Sequence, residues 1–149
     1  MNHDEFMKEY ERIMKNERGA KIASATFTEN QSGNLFEYRD NSIFTLITFS
    51  LKNIEPFIPY TINLSVRDKD DKEVWQGTPP PFSYNADIKE DTEIPITLNL
   101  DFRAKKLEKF KVLAVLVRVV EGLPTPIPSG IVQDTVELEL NTEAKNGGN

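Results

Sequence analysis

The sequence has 149 residues, the size of a single domain, and its 24 acidic and 18 basic residues give a net charge of −6. It has no cysteine and one histidine, which excludes disulfides, thiolate catalysis and a histidine metal cluster. The acidic balance argues against nucleic-acid binding, which requires a basic surface. The sequence contains no run of 18 apolar residues, so it predicts no membrane-spanning helix.

The first segment predicts an amphipathic helix within residues 1–19. Asp4 and Glu5 fall in its first turn, where acidic side chains are favourable, and Gly19 ends it. Its apolar residues recur at the spacing of one helix face: Phe6, Met7, Tyr10, Ile13 and Met14. We expect this face to pack on the protein's own domain or on a partner. Because the segment lacks the pattern of a secretory signal, we expect a cytoplasmic protein of bacterial or phage origin.

Residues 20–141 carry the pattern of a β domain. Turn residues separate short segments in which apolar and polar side chains alternate. The predicted strands are Lys21–Glu29, Leu35–Tyr38, Ser42–Lys52, Tyr60–Arg67, Glu73–Gln76, Glu93–Phe102, Phe110–Val120 and Ile131–Leu140. About seven strands without helical crossovers predict a mainly β, immunoglobulin-like antiparallel two-sheet sandwich of Greek-key type. Residues 142–149 are polar and predict a disordered tail.

The segment Phe110–Val120 (FKVLAVLVRVV) is the most apolar and is predicted to be the central strand. One face carries Phe110, Val112, Ala114, Leu116 and Val120 and is interrupted by Arg118. We expect Arg118 to pair with a carboxylate, since an unpaired buried charge is costly, and the candidates are Asp101, Asp134 and Glu137. The other face is also apolar, so we expect the N-terminal helix, a second copy or a partner to cover it.

A hairpin turn is predicted at Asp68–Lys72, followed by Glu73, Val74 and Trp75. This segment resembles bacterial immunoglobulin-like domains with a hairpin of the form D-x-x-G-x-x-V-W, with Asp71 near the place of the glycine. The resemblance implies a fold and no function. The turn also holds three aspartates, but it lacks the glycine and the distal glutamate of a calcium loop. We therefore predict a solvated turn, with no metal and no cofactor.

Three connections are predicted to meet at one end of the sandwich: Asn53–Pro59, Gly77–Thr92 and Gly122–Gly130. They contain eight of the nine prolines. The same end is predicted to carry the binding residues Phe57, Tyr60, Trp75, Phe82 and Tyr84. Prolines reduce the entropy that a loop loses on binding, so rigid loops with aromatic side chains favour recognition. The alternative is that the prolines end strands and the aromatic rings cap the core.

These features predict a non-enzymatic protein-binding or adaptor module whose partner is another protein or a second copy of the chain. One alternative is a carbohydrate-binding module that stacks sugars on Trp75, Tyr60 or Tyr84. Another is a homo-oligomeric structural protein. Catalysis has little support, since His3 is the only histidine and cannot complete a serine triad.

Overall fold

The structure is a computed structural model that describes residues 2–5, 7–8, 11, 19–119 and 130–143. In this part of the chain, eight strands form two antiparallel sheets. They are β1 (Lys21–Thr28), β2 (Phe36–Arg39), β3 (Ser42–Lys52), β4 (Tyr60–Arg67), β5 (Glu73–Gly77), β6 (Ile94–Arg103), β7 (Lys109–Val119) and β8 (Gly130–Asn141). Each predicted strand is present with bounds within one residue of the prediction. The prediction of a mainly β, two-sheet antiparallel sandwich is confirmed.

The first sheet is built around β3, and we call it the β3 sheet. Strand β6 pairs along one edge of β3, from Ser42 to Leu51. The other edge is shared, since β1 pairs with residues 46–52 and β2 with residues 42–45. A two-residue turn joins β2 to β3, and its Asp40 and Asn41 have φ of 52° and 60°. Positive φ at both central residues is what a tight hairpin of type I′ requires, and Asn and Asp tolerate it well.

The second sheet has the strand order β5-β4-β7-β8, and we call it the β7 sheet. Strand β7 lies inside it, between β4 and β8, as its apolar sequence predicts. Alternate residues of β7 point into the core: Phe110, Val112, Ala114 and Leu116 are all buried. They pack against the alternating apolar residues of β3, among them Ile43, Ile47, Phe49 and Leu51.

The two sheets also meet at their edges. Strand β1 contacts β8, and the backbone N–H of Ile22 donates to Asp134 Oδ2 at 2.8 Å. On the other side β5 contacts β6. These contacts fix the alignment of the sheets and therefore the position of the connections at each end.

The outer face of β7 is only partly covered. Val117 is buried, and a Cβ on Gly130 would stand 2.5 Å from Val117 Cγ1, so only glycine allows this close approach. Leu113 remains exposed, flanked by Ser65 of β4 and Glu137 of β8. What covers this part of the face stays a prediction, and the polar neighbours of Leu113 reduce the need for a cover.

Several predictions concern residues at the margins of the described ranges. Residues 3–5, 7, 8 and 11 are helical; the rest of the predicted N-terminal helix lies outside the described residues, as do residues 120–129 and 144–149. Thr142, the first residue of the predicted tail, is buried. Its hydroxyl donates to the Glu108 carbonyl at 2.7 Å and accepts the Glu108 N–H at 2.9 Å.

Candidate functional site

The candidate site is the loop end, which we define as the connections 53–59 (β3 to β4) and 78–93 (β5 to β6). Strand β5 stops at Gly77, but the chain continues along the same edge of β4. The Thr61 hydroxyl donates to the Pro79 carbonyl at 2.8 Å. Tyr60 and Phe82 then exchange two backbone hydrogen bonds, each of 2.8 Å. The proline-rich segment is thus held as an extension of the β7 sheet.

Asn53 ties this end together after β3. It has a φ of 59°, and its side-chain oxygen accepts the N–H of Asp91 at 3.1 Å. Its side-chain amide donates to the carbonyl of Gly19 at 3.2 Å. One side chain therefore joins both connections of the loop end to the segment that precedes β1.

Three of the predicted aromatic residues form one cluster. The rings of Tyr60 and Phe82 stack with centroids 6.3 Å apart, and Phe82 meets Tyr84 edge-on at 6.2 Å. Tyr60 is 1% exposed, and its hydroxyl accepts the N–H of Glu55 at 3.0 Å. Phe82 and Tyr84 are half-buried against the core, and burial raises the pKa of the Tyr84 hydroxyl. The cluster therefore closes the core and supports the loops above it.

Phe57 differs from these three residues because its ring faces outward. It is 60% exposed, and its φ is 66°, in the left-handed region that non-glycine residues seldom adopt. Its N–H donates to the Tyr84 carbonyl at 2.8 Å, which holds the loop in this conformation. A large apolar ring is thus presented to solvent by a backbone that is fixed to the aromatic cluster.

The fifth predicted residue, Trp75, does not join the cluster. It pairs with Val66 near the far end of β4, six residues from Tyr60, which is roughly 20 Å along a strand. Its ring packs against the core and lies over Gly77, where an added Cβ would stand 2.6 Å from Cη2 and Cζ2. The predicted stacking of sugars on Trp75, Tyr60 or Tyr84 therefore has no common exposed platform, because Tyr60 is in the core and Trp75 is distant.

Arg118 lies beneath the loop end, opposite Tyr60 in the β7 sheet. Its side chain is 2% exposed and forms an ion pair with Glu55 through Nη1 and Oε2, while Nη2 has no hydrogen-bond partner among the described residues. The prediction of a carboxylate partner is correct, but the candidates Asp101, Asp134 and Glu137 are wrong. Glu55 was missed because it lies in a connection, and only the register of β4 against β7 brings it there.

Neither a metal-binding cluster nor a membrane-spanning helix is found among the described residues. No group of three or more His, Asp or Glu side chains there is arranged to hold a metal ion. In the hairpin turn, Asp68 Oδ1 accepts the N–H groups of Asp70 and Lys72 at 2.9 and 3.0 Å, so this oxygen shapes the turn. The described helical residues include no segment long and apolar enough to cross a bilayer.

Comparison with known proteins places the fold but not the function. No family model and no curated protein matches the sequence. A β-glucuronidase of glycoside hydrolase family 2 aligns with 83% of this chain at 12% identity and a TM-score of 0.55. A glycoside hydrolase family 2 member from Bacteroides cellulosilyticus aligns with 83% at 12% identity and a TM-score of 0.58. The chain spans 12% and 15% of those two proteins. The protein therefore has a β-sandwich fold similar to part of these enzymes.

Proposed function

We propose that this protein is a non-enzymatic binding module of the adaptor type, an immunoglobulin-like sandwich whose loop end contacts another protein. The observation that carries the proposal is Phe57. An exposed phenylalanine in the left-handed region combines two unfavourable features, apolar exposure and backbone strain of about 1–3 kcal/mol. A structure that maintains both at one position supports a role for that ring outside the domain.

Burial of the Phe57 ring in a partner would recover free energy. Fully burying such a side chain contributes about 1.5–3 kcal/mol, which is the scale of a residue that dominates an interface. The ring is already positioned, because the Phe57 N–H is bonded to Tyr84 and the neighbours Pro56 and Pro59 restrict the loop. Little ordering is left to do on binding, which favours affinity.

The other predicted residues have supporting roles in this proposal. Tyr60 and Phe82 fix the proline-rich segment to β4, and Tyr84 supplies the carbonyl that holds Phe57. Trp75 contributes to the core from β5. The proposed partner is a protein, or a second copy of the chain, and the proposed location is the cytoplasm.

The test uses the full chain with a photo-crosslinking phenylalanine analogue at position 57 or, as a control, at position 113. Leu113 is also an exposed apolar residue but lies on the outer face of the β7 sheet. In native host lysate, we expect the analogue at position 57 to give a discrete crosslinked species. Excess wild-type protein without the analogue should compete this species away, whereas excess Phe57→Ala protein should not. Crosslinks from position 113 alone would refute the loop end and would direct attention to the sheet face. A species of twice the chain mass would identify the partner as a second copy.

A second candidate is carbohydrate binding, which one cavity favours. A cavity of about 380 Å³ lies on the outer face of the β3 sheet, where Phe44 and Leu46 stand beside polar side chains. Amide and carboxylate groups that can bond sugar hydroxyls line it: Asn30, Glu37, Asn99 and Asp101. The two similar sandwiches described above belong to glycoside hydrolases, which adds support.

The Arg39 guanidinium lies 4.6 Å from the centroid of the Phe44 ring, so a sugar would have to displace it or use the cavity beside it. Affinity electrophoresis against a panel of soluble polysaccharides tests this candidate. Retardation that is lost in Asn99→Ala but kept in Phe57→Ala would select carbohydrate binding over protein binding. Unchanged mobility with every polysaccharide would dismiss it.

A further inference from the structure

The opposite end of the sandwich contains a second cavity, which we call the basic cavity. It has a volume of about 460 Å³ and lies between the β4–β5 hairpin and the connection from β6 to β7. Its apolar lining is Val74, Ala104 and Phe110. Four cationic side chains surround it: Lys72, Arg103, Lys105 and Lys106. These groups come from two segments that are distant in sequence: the β4–β5 turn supplies Lys72, and the end of β6 with the connection after it supplies Arg103, Lys105 and Lys106.

Two carboxylates also line the basic cavity, but both are engaged by the protein itself. Asp68 Oδ1 accepts two backbone N–H groups of its own turn, at 2.9 and 3.0 Å. Glu108 is almost buried, its Oε1 accepts the Lys69 N–H at 3.1 Å, and its Oε2 lies 3.9 Å from Lys106 Nζ. Both carboxylates therefore organise the walls of the cavity.

The remaining cations have no such partner. No hydrogen bond or ion pair to a described residue is made by the side chains of Lys72, Arg103 or Lys105. In a chain with a net charge of −6, three cations that line one cavity and have no partner among the described residues depart from the overall charge balance. Converging positive charge attracts anions and raises their local concentration.

The walls of the basic cavity are held by backbone hydrogen bonds. Ala104 donates its N–H to the carbonyl of Asn41 at 3.0 Å, and its own carbonyl accepts the Tyr38 hydroxyl at 2.8 Å. Lys105 and Lys106 follow directly. At the other end of the connection, Glu108 is fixed by the buried Thr142. A site built in this way changes little when a ligand enters, which favours binding.

We propose that the basic cavity binds a small organic anion with at least two negative charges and an apolar portion. Arg103 offers a planar pair of donors that matches a carboxylate or a phosphate, while Lys72 and Lys105 supply mobile point charges. The apolar part of the ligand lies over Val74, the partly exposed member of the apolar lining. The volume falls in the range of about 300–1,000 Å³ that is usual for small-molecule sites. The site is independent of the loop end and of the function proposed for it.

The test is a ¹H–¹⁵N chemical-shift titration of the full chain with pyrophosphate and, separately, with citrate, at constant ionic strength. We expect saturable shifts at Ala104, Lys105 and Lys72 with at least one of them. The stronger of the two identifies the ligand as a phosphate or a carboxylate. In Lys72→Gln/Arg103→Gln, affinity should fall by about tenfold or more, because two charge-assisted hydrogen bonds are lost.

The matched control is Lys21→Gln/Lys89→Gln, which makes the same change in net charge with exposed residues away from the cavity. It should bind with the affinity of the wild type. Equal losses in the two double variants would show that net charge alone attracts the anion, and the proposal would then be wrong. Linear, non-saturating shifts with both anions would also overturn it. All four replaced side chains are exposed, so the variants are expected to fold.

Discussion

The buried ion pair beneath the loop end gives the sharpest prediction of stability. The two partners differ in environment, since the Arg118 side chain is 2% exposed and that of Glu55 is 22% exposed. We compare Glu55→Ala, which leaves the arginine buried without this carboxylate, with Arg118→Met, which leaves the glutamate in a partly exposed position. Glu55→Ala should be the more damaging change.

The magnitude follows from the cost of an uncompensated buried charge. Breaking a buried pair costs about 3–5 kcal/mol, and the partial exposure of Glu55 places this pair near about 3 kcal/mol. Arg118→Met removes the buried charge but keeps much of the side-chain volume. It also removes Nη2, a donor that has no hydrogen-bond partner among the described residues. We expect a loss of about 1 kcal/mol or less for this variant, because the Glu55 side chain is 22% exposed and solvent screens its charge.

Urea unfolding followed by tryptophan fluorescence measures both changes. With a slope of about 2 kcal/mol per molar urea, Glu55→Ala should lower the midpoint by about 1.5 M and Arg118→Met by about 0.5 M or less. The double variant should lose less than the sum of the two single losses, since both changes remove the same ion pair. A larger loss for Arg118→Met than for Glu55→Ala would refute this reasoning and would mean that packing of the arginine stem dominates.

Three further predictions concern single positions. Gly77→Ala should destabilise the domain by about 1–3 kcal/mol, because the new Cβ would stand 2.6 Å from the Trp75 ring. Thermal unfolding should show that the double variant Gly77→Ala/Trp75→Leu recovers part of this loss. Equal stability of Gly77→Ala and the wild type would contradict the prediction. Asp71 is exposed and has a φ of 62°. Asp71→Ala should therefore lower the free energy of unfolding by about 1 kcal/mol, while Asp71→Gly should leave it nearly unchanged. Equal losses of stability in urea unfolding would argue against backbone strain as the cause. Burial raises the pKa of Tyr84 above its ordinary value of 10.0, so the unfolded state releases this proton first and stability should fall as the pH rises through 10. Tyr84→Phe should remove part of that alkaline decline, and an unchanged slope would contradict the assignment.

The strands could be predicted from the sequence because each carries a local pattern. The alternation in Ser42–Lys52 places five residues inward, and all five are buried. The run from Phe110 to Val120, apolar except at Lys111 and Arg118, indicates an interior strand, and β7 has a partner on both edges. Even the irregular turn at Asp71 is readable, since it takes the left-handed conformation for which glycine is the usual residue.

The candidate site was only partly predictable, since it depends on tertiary register. Phe57, Tyr60, Phe82 and Tyr84 do meet, because the connections that carry them share one end of the sandwich. Which ring is exposed could not be inferred, since that depends on the left-handed backbone at Phe57 and its bond to Tyr84. That a cavity forms between the two charged segments at the opposite end could not be inferred for a similar reason. Its cations belong to segments separated by the 30 residues from Glu73 to Phe102, and each segment alone has the composition of a solvated turn.

The path of the proline-rich segment bears on how the loop end would recognise a protein. An exposed sheet edge commonly binds an extended peptide as an additional strand, through main-chain hydrogen bonds. Here the segment that extends the edge of the β7 sheet contains Pro79, Pro80 and Pro81, three successive residues without an N–H group. Strand addition along this segment is therefore blocked, as is uncontrolled edge-to-edge association. A partner at the loop end must contact side chains, and Phe57 is the exposed apolar side chain that the two described connections place there.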